Sequence, residues 1–544
     1  MPKPLHVTAP RLPLASAYWP AVEGSGIRET TIGSVLREAA GRAPEVTALV
    51  DGNPEHLERR QWTYAALLAD AERAARALLK RFAPGERVAV WAPNSPEWVI
   101  LEFAAALAGL TLVPANPAYQ GDELAHVLGH SAADGLFLAD RVSDRDMQAV
   151  LAGIRNGLPR LRNVLSFGEW DAFTAEGTVG ELPDVDPASP AQVLYTSGTT
   201  GRPKGAVLTH RGLTNNARLT FETAGIGPGD VEVNPMPMFH VGGGCLFTLG
   251  PVQATATQVL MPRFSPALQL ELIETHQATI LCGVPTMLRA LLGHPDLAKR
   301  DVSSLRRVLS GGAVSPPALV HEVEATLGVT YSIAFAQTEA SCSVTIATAA
   351  DPAEDRARTL GRPLPLTEAR IADLRTSETA RCGEVGEICA RGYLVMRGYL
   401  NAPEATAAAI DADGWLHTGD LGSMDERGYL RIAGRLKEMI VRGGENIYPR
   451  EIEEVLVAHP AVADASVIGL PDEYYGEVVG AAIRPADGDA GPDLTAELAG
   501  YCRARLAAGK VPVRWLVTGA FPMTASGKVR KDALREMLSQ VPEK

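Results

Sequence analysis

The feature that most constrains the fold is an alternation. Short β-branched runs that end in turn residues recur between longer Ala- and Leu-rich stretches of helical spacing. "RVAVWAP" (Arg87 to Pro93) reads as a strand running into a turn, and "PEWVILEFAAALAGL" then opens with Pro96 and Glu97, good first-turn helix residues. "TLVPANP" is the next strand, and "QVLYTSG" (Gln192 to Gly198) is a strand running into a Gly-rich loop. "ATILCGVP" (Ala278 to Pro285) and "LRRVLSGGA" (Leu305 to Ala313) repeat the theme. Strands alternating with helices predict an α/β fold with largely parallel or mixed sheets.

From about Gly383 the texture changes to Gly-punctuated alternating strands, and the last hundred or so residues read as a small α+β domain. The boundary is expected in "GRLKE", with an N-terminal domain over 1–434 and a C-terminal domain over 435–544. "ADGDAGPD" reads as a surface loop, and no internal repeat stands out. A chain of 544 residues has room for two or more such domains.

Composition removes several classes. A net charge of −13 argues against nucleic-acid or anionic-membrane binding as a bulk property. The 6 cysteines form no CxxC pair, so a reducing cytosol is expected rather than a disulfide scaffold or a zinc site. The proline-punctuated N-terminus reads as an irregular arm, not a signal peptide. The most apolar stretch, Trp98 to Ala115, is interrupted by Glu102, Gly109 and Pro114. A membrane span needs about 20 unbroken apolar residues, so this stretch reads as a buried helix followed by a short strand.

"YTSGTTGRPKG" (Tyr195 to Gly205) packs three glycines, four Ser/Thr residues and one lysine into eleven residues. Glycines let a backbone approach a ligand closely, and Thr196, Ser197, Thr199, Thr200 and Lys204 offer donors and a mobile cation. A plain linker is the competing reading. The Walker pattern fails, because Lys204 follows Pro203 and precedes Gly205. A phosphate-binding loop of another kind is the better fit.

Followed by "AVLTH", this loop resembles the phosphate loop of the adenylate-forming superfamily of acyl-CoA synthetases, adenylation domains and luciferases. "FAQTE" (Phe335 to Glu339), "GEICARG" (Gly386 to Gly392), "GWLHTGD" (Gly414 to Asp420), "GRLKEMIVRGGENIYPREIE" (Gly434 to Glu453) and "TASGKVRK" (Thr524 to Lys531) follow in the family's order. The resemblance runs from roughly residue 30 to 535 and is nearest to free-standing acid–CoA ligases. It implies a large N-terminal α/β region and a small mobile C-terminal domain. It also implies two half-reactions. A carboxylate attacks the α-phosphate of ATP to give an acyl-adenylate and pyrophosphate, and a thiol, usually that of coenzyme A, then displaces AMP.

The resemblance assigns roles residue by residue. Thr196, Ser197, Gly198, Thr199, Thr200 and Lys204 would hold the β- and γ-phosphates. Glu339 resembles the Mg²⁺ ligand and Thr338 the α-phosphate contact, with Phe335, Ala336 and Gln337 beside the nucleotide. Gly311, Gly312 and Ala313 resemble the strip against adenine. Asp420 resembles the ribose carboxylate and Arg435 a second ribose or phosphate contact. Lys528 would enter the site from the small domain during adenylation, where a compact ammonium suits an attack between two anions. Lys437 sits at the hinge, and Arg442, Gly443 and Gly444 on the face that would admit the pantetheine arm. Each has a bland alternative: a turn aspartate, a solvated lysine in a basic tail, a paired surface arginine.

On the acyl side, His240 would lie near the substrate carboxylate, with Phe239, Val241, Gly242 and Gly243 at the pocket. The run Gly242 to Gly244 reads as room for a bulky or elongated acyl group. Two departures concern the acyl group and the acceptor. Ala336 stands where the family usually has glycine, and Gly509 where it often has an aromatic.

The expected partners are a carboxylic acid and coenzyme A, with ATP and Mg²⁺ and no nucleic acid or membrane span. A homodimer is left open. The alternative acceptor is a carrier-protein phosphopantetheine, an amine or another nucleophile. A silent binding protein would be expected to have lost Lys528 or Glu339, and both are present.

Overall fold

A computed structural model describes residues 12–21, 26–55, 59–196, 203–486, 493–523 and 529–541. Ser197, Gly198, Thr199, Thr200 and Lys528 lie outside the described residues, as does most of "ADGDAGPD".

Two large sheets carry the N-terminal region. In the seven-stranded sheet the order is Gly398–Tyr399, Lys204–Thr209, Pro190–Thr196, Thr111–Ala115, Arg87–Trp91, Gly135–Leu138, Asn163–Ser166. Pairing is parallel from Pro190–Thr196 onward and antiparallel at the other edge. The nine-stranded sheet runs Arg362–Pro363, Cys342–Ile346, Thr330–Gln337, Arg307–Gly311, Ile280–Cys282, Val231–Asn234, Thr257–Leu260, Thr47–Asp51, Gln61–Thr63. Its six inner strands are parallel. Parallel strands are covered on both faces, which is why these runs are apolar rather than alternating.

The helix Pro96–Leu107 shows the local logic. Ser95 caps it by accepting from the Trp98 amide, and Pro96 occupies the first position. All of its residues except Glu97 are buried, and the strand Thr111–Ala115 follows, as the sequence predicts. One core cluster joins the two sheets, with Leu112 and Leu194 from one and Leu260, Ile280 and Leu309 from the other.

The two sheets repeat one topology. From Arg87–Trp91 the chain steps through a helix to Thr111–Ala115 on one side, then crosses to Gly135–Leu138 on the other and continues outward to Asn163–Ser166. Val231–Asn234, Thr257–Leu260, Ile280–Cys282 and Arg307–Gly311 follow the same path. No repeat is legible in the sequence itself. A shared path needs only the same succession of buried strand and helix faces, which many side chains satisfy.

A third sheet is antiparallel: Tyr18–Trp19, Thr367–Ala372, Gly386–Gly392, Leu416–Met424, Leu430–Arg435. Here the expectation of an irregular arm needs correction, since Tyr18–Trp19 is an edge strand. Trp19 is buried against Gly428, where a Cβ would come within 2.0 Å of the indole.

Among the described residues, strands from Ile440 onward pair only with one another: Ile440–Arg442, Glu445–Ile447, Val462–Asp472, Gly476–Pro485 and Arg514–Val517. With the helices Pro449–Val457, Leu494–Arg503 and Lys531–Ser539 they form a small α+β domain with its own core. All six cysteines are unpaired. Among the described residues no helix is long and apolar enough to cross a membrane.

Candidate active site

The root of the Gly-rich loop is an antiparallel pair of strands that places Thr196 opposite Lys204. Thr196 Oγ1 donates to the Lys204 carbonyl at 3.5 Å. Lys204 Nζ lies 5.1 Å over the ring of Tyr399, a cation–π arrangement. Tyr399 sits on the adjacent short strand and donates its hydroxyl to Glu339 Oε1 at 2.7 Å. Burial and the Glu339 charge push the Tyr399 hydroxyl well above its ordinary pKa, so it stays a donor. Lys204, Tyr399 and Glu339 thus form one chain of contacts. The sequence reading missed Tyr399; its one signal is an aromatic beside Gly398, whose φ of +140° marks an unusual backbone.

Two residues before Glu339, Gln337 turns the other way. Its Nε2 donates to Asp420 Oδ2 at 2.6 Å and to the Thr418 carbonyl at 2.9 Å. Arg435 Nε donates to Asp420 Oδ1 at 3.0 Å, because Asp420 and Arg435 pair across adjacent strands. Asp420 is 5% exposed, and burial raises its carboxyl pKa against the opposing pull of Arg435 and Gln337. The segment Gln337 to Glu339 therefore touches the candidate ribose carboxylate at one end and the candidate phosphate lysine, through Tyr399, at the other. Thr338 lies between them at the head of a short 3-10 turn.

Phe335 and Ala336 face opposite ways, as strand neighbours do. Phe335 packs with the antiparallel sheet, while Ala336 packs against the core that also holds Phe239 and Val241. The additional methyl is thus on the face turned toward that core. On the neighbouring strand, Gly311 pairs with Ala334, and a Cβ on it would come within 2.7 Å of the Ala334 carbonyl. Gly312 has a φ of +73°, a turn that favours glycine, and Ala313 follows.

His240 precedes a π-helical turn, Val241–Leu246, a rare geometry often found at functional sites. The Phe239 and His240 rings lie 5.3 Å apart. The glycine run does not open space as the sequence suggested. A Cβ on Gly243 would lie 2.2 Å from the Pro237 carbonyl oxygen, and one on Gly244 2.2 Å from that of Met238. These two glycines serve the close packing of their own turn. Only Gly242 borders room, its nearest neighbour being Met236 Cε at 4.0 Å.

A polar chain runs inward from this turn. Cys245 Sγ donates to Gln192 Oε1 at 3.4 Å, and Gln192 Nε2 donates to Glu102 Oε1 at 2.8 Å. Glu102 is 2% exposed, its Oε2 is buried without a partner, and burial holds its carboxyl pKa far above the usual range.

In the small domain, Lys437 is exposed on the turn Leu436–Glu438. Arg442 stacks 3.8 Å over the Tyr475 ring, and its Nη1 lies 3.1 Å from where a Cβ on Gly509 would sit. Gly443 and Gly444 are exposed, with φ of +58° and +85°. Lys531 Nζ pairs with Glu438 at 2.7 Å and ties the helix Lys531–Ser539 to the turn Leu436–Glu438.

The AMP-binding enzyme family matches residues 36–400, and the AMP-binding enzyme C-terminal domain matches residues 451–528. The chain belongs to the AMP-binding enzyme family. Among AMP-binding enzymes it is 38% identical over 538 residues to YngI of Bacillus subtilis (strain 168), covering 93% of this chain and 97% of that one. It is 33% identical to the human mitochondrial medium-chain acyl-CoA ligase ACSF2, over 94% of this chain and 88% of the relative. The crystal structure of ATP-bound MatB from Rhodopseudomonas palustris superposes with a TM-score of 0.85 at 29% identity, covering 94% and 99% of the two chains. This AMP-binding enzyme is an ATP-using acid–thiol ligase. It activates a carboxylic acid to an acyl-adenylate with release of pyrophosphate and transfers the acyl group to coenzyme A with release of AMP.

Proposed function

We propose that the Gln337 to Glu339 segment is the spine on which adenylation is organised. The observation that carries this reading is its two-ended contact, with Gln337 on Asp420 and Glu339 on Tyr399 beneath Lys204. Asp420 and Arg435 take the ribose, Gly311 to Ala313 the adenine, and Thr196, Lys204 and the loop beyond them the phosphates. Thr338 lies where the α-phosphate would reach, His240 orients the acid carboxylate, and Phe239, Val241, Gly242 and Ala336 shape the acyl entrance.

Glu339 suits Mg²⁺. Its carboxylate is held on Oε1 by Tyr399, and among the described residues Oε2 makes no hydrogen bond, which leaves a hard oxygen ligand to present. A magnesium ion there would neutralise charge on the triphosphate. Lys528, outside the described residues, enters during adenylation. Rotation of the region from 435 onward about Lys437 then withdraws it and brings Arg442, Gly443 and Gly444 inward for the thiol. Six unpaired cysteines favour a reducing, cytosolic setting.

The test is acid-dependent pyrophosphate release over a panel led by medium-chain aliphatic acids, with and without coenzyme A. Lys528→Ala should lose roughly 10²–10³-fold if it stabilises transition-state charge. Lys437→Pro should keep one half-reaction and lose the other. Pyrophosphate release that ignores coenzyme A would turn the reading toward a carrier protein or an amine, and full adenylation by Lys528→Ala would remove that lysine from the mechanism.

A further inference from the structure

Two histidines one turn apart on the helix Gly121–Ser131 reach the strand ends that carry Thr196 and Lys204. His126 Nε2 lies 3.1 Å from the Pro203 carbonyl oxygen, and a carbonyl only accepts, so Nε2 carries the hydrogen. His130 Nδ1 lies 2.9 Å from the Tyr195 hydroxyl, with the Val127 carbonyl at 3.4 Å as the longer alternative. Burial lowers the His130 pKa and raises that of Tyr195, so the hydroxyl donates to a neutral ring. The two imidazoles stack at 5.5 Å, and the Tyr195 ring stands nearly perpendicular to both, at 6.2 and 5.8 Å. Tyr195 precedes Thr196, and Pro203 precedes Lys204. One helix face therefore holds both flanks of the antiparallel pair where Thr196 stands opposite Lys204.

The helix is a fixed base. A capping box joins Gln120 to Glu123, and Leu124, Val127 and Leu128 are buried in one cluster with Val193. Its last turn is also tied to the segment after Tyr399. Asn401 Nδ2 donates to the His130 carbonyl at 3.3 Å, and the Leu400 amide donates to the Gly205 carbonyl at 2.8 Å. The Tyr195 ring crosses Gly205, where a Cβ would come within 3.2 Å of Tyr195 Cζ. Leucines would seal this face without burying polar atoms, whereas half-buried imidazoles need partners. Each histidine finds its partner in a residue flanking Thr196 or Lys204. We propose that His126 and His130 are positioning residues for adenylation, which set the spacing and direction of Thr196 and Lys204 toward the β- and γ-phosphates. This rests on the reading of Tyr195 to Gly205 as the phosphate loop.

The experiment is steady-state kinetics on the full chain, with pyrophosphate as product inhibitor and AMP binding measured by equilibrium dialysis. His126→Leu and His130→Leu should each raise the KM for ATP and the inhibition constant of pyrophosphate roughly fivefold, the worth of one neutral hydrogen bond. The KM for the acid, the KM for coenzyme A and the affinity for AMP should not move, since none of them engages the contacts to the β- and γ-phosphates. His126→Gln keeps a donor near Nε2, and His130→Asn keeps an acceptor near Nδ1. Both should return the ATP and pyrophosphate constants close to those of the wild type. Tyr195→Phe removes only the hydroxyl and should match His130→Leu; it decides if the leucine variants fail to fold. A merely structural role would lower the yield of folded enzyme and leave these constants alone. Unchanged constants in the leucine variants and in Tyr195→Phe, or equal losses with His126→Gln and His130→Asn, overturn the proposal. Lys204→Ala separates the two readings. A raised KM for ATP in Lys204→Ala beside unchanged histidine variants refutes the positioning role alone, and an unchanged KM in Lys204→Ala refutes the phosphate-loop reading as well.

Discussion

Tyr399 donates its hydroxyl hydrogen to Glu339 Oε1 at 2.7 Å across 60 residues of sequence. The same ring lies beneath the Lys204 ammonium, so one side chain touches both the carboxylate and the cation proposed above to address the triphosphate. A hydrogen bond to a charged group is worth about 1.5–3 kcal/mol. Tyr399→Phe should therefore raise the Mg²⁺ concentration for half-maximal pyrophosphate release roughly tenfold or more. Manganese binding followed by electron paramagnetic resonance should weaken in parallel. An unchanged metal dependence would show that Glu339 needs no such support.

Asp420 accepts from Gln337 and Arg435 on its two oxygens. Asp420→Asn turns one oxygen into a donor that faces another donor. With about 1.5–3 kcal/mol at stake per charged hydrogen bond, the KM for ATP should rise roughly 10- to 100-fold. Because burial raises the Asp420 pKa, its carboxylate is lost on acidification earlier than an ordinary aspartate would be. The KM for ATP should climb as pH falls through that range in the wild type and stay flat in the variant. Steady-state kinetics against pH, at saturating acid, gives the comparison.

The glycine run makes a steric prediction. Gly243→Ala places a methyl against the Pro237 carbonyl and should cost about 1–3 kcal/mol or more, seen as lost stability or solubility. Gly242→Ala meets only Met236 at van der Waals distance and should fold normally, changing the KM for the acid and not for ATP. Equal stability of the two variants by thermal denaturation would contradict this reading.

Glu102 carries a pH signature. Its folded pKa is raised far above the unfolded value by burial. Between those two values the folded state binds the proton that the unfolded state has released. Stability is therefore greatest below the unfolded value, about 4.3, and falls as pH rises, by up to about 1.4 kcal/mol per unit. Glu102→Gln keeps the shape and removes the titration. Chemical denaturation at several pH values should show the variant gaining on the wild type as pH increases; parallel curves would mean Glu102 is ionised in the fold.

Much of the fold and many of the candidate residues could be read in advance because the information is local. Strand-turn-helix alternation needs only runs of side chains with the right period, and the capped, buried helix Pro96–Leu107 is legible from its own letters. The motifs around Lys204, Glu339 and Asp420 are contiguous too. Locality also explains the misreading of Gly243 and Gly244. Their demand comes from carbonyls at Pro237 and Met238, which approach only once the π-helical turn has closed.

By itself the sequence determined the α/β class, the α+β C-terminal domain and the family to which the chain belongs, since these rest on periodicity and short ordered motifs. Tertiary structure alone decided that Tyr399 joins Lys204 to Glu339, that Glu102 ends a polar chain through Gln192 from Cys245, and that two sheets repeat one path. The reason is physical. Glu102 and Gln192 stand 90 residues apart, and their meeting depends on the order in which parallel strands assemble. That order is set by the burial of all the helices and strands together, and no single stretch of sequence carries it.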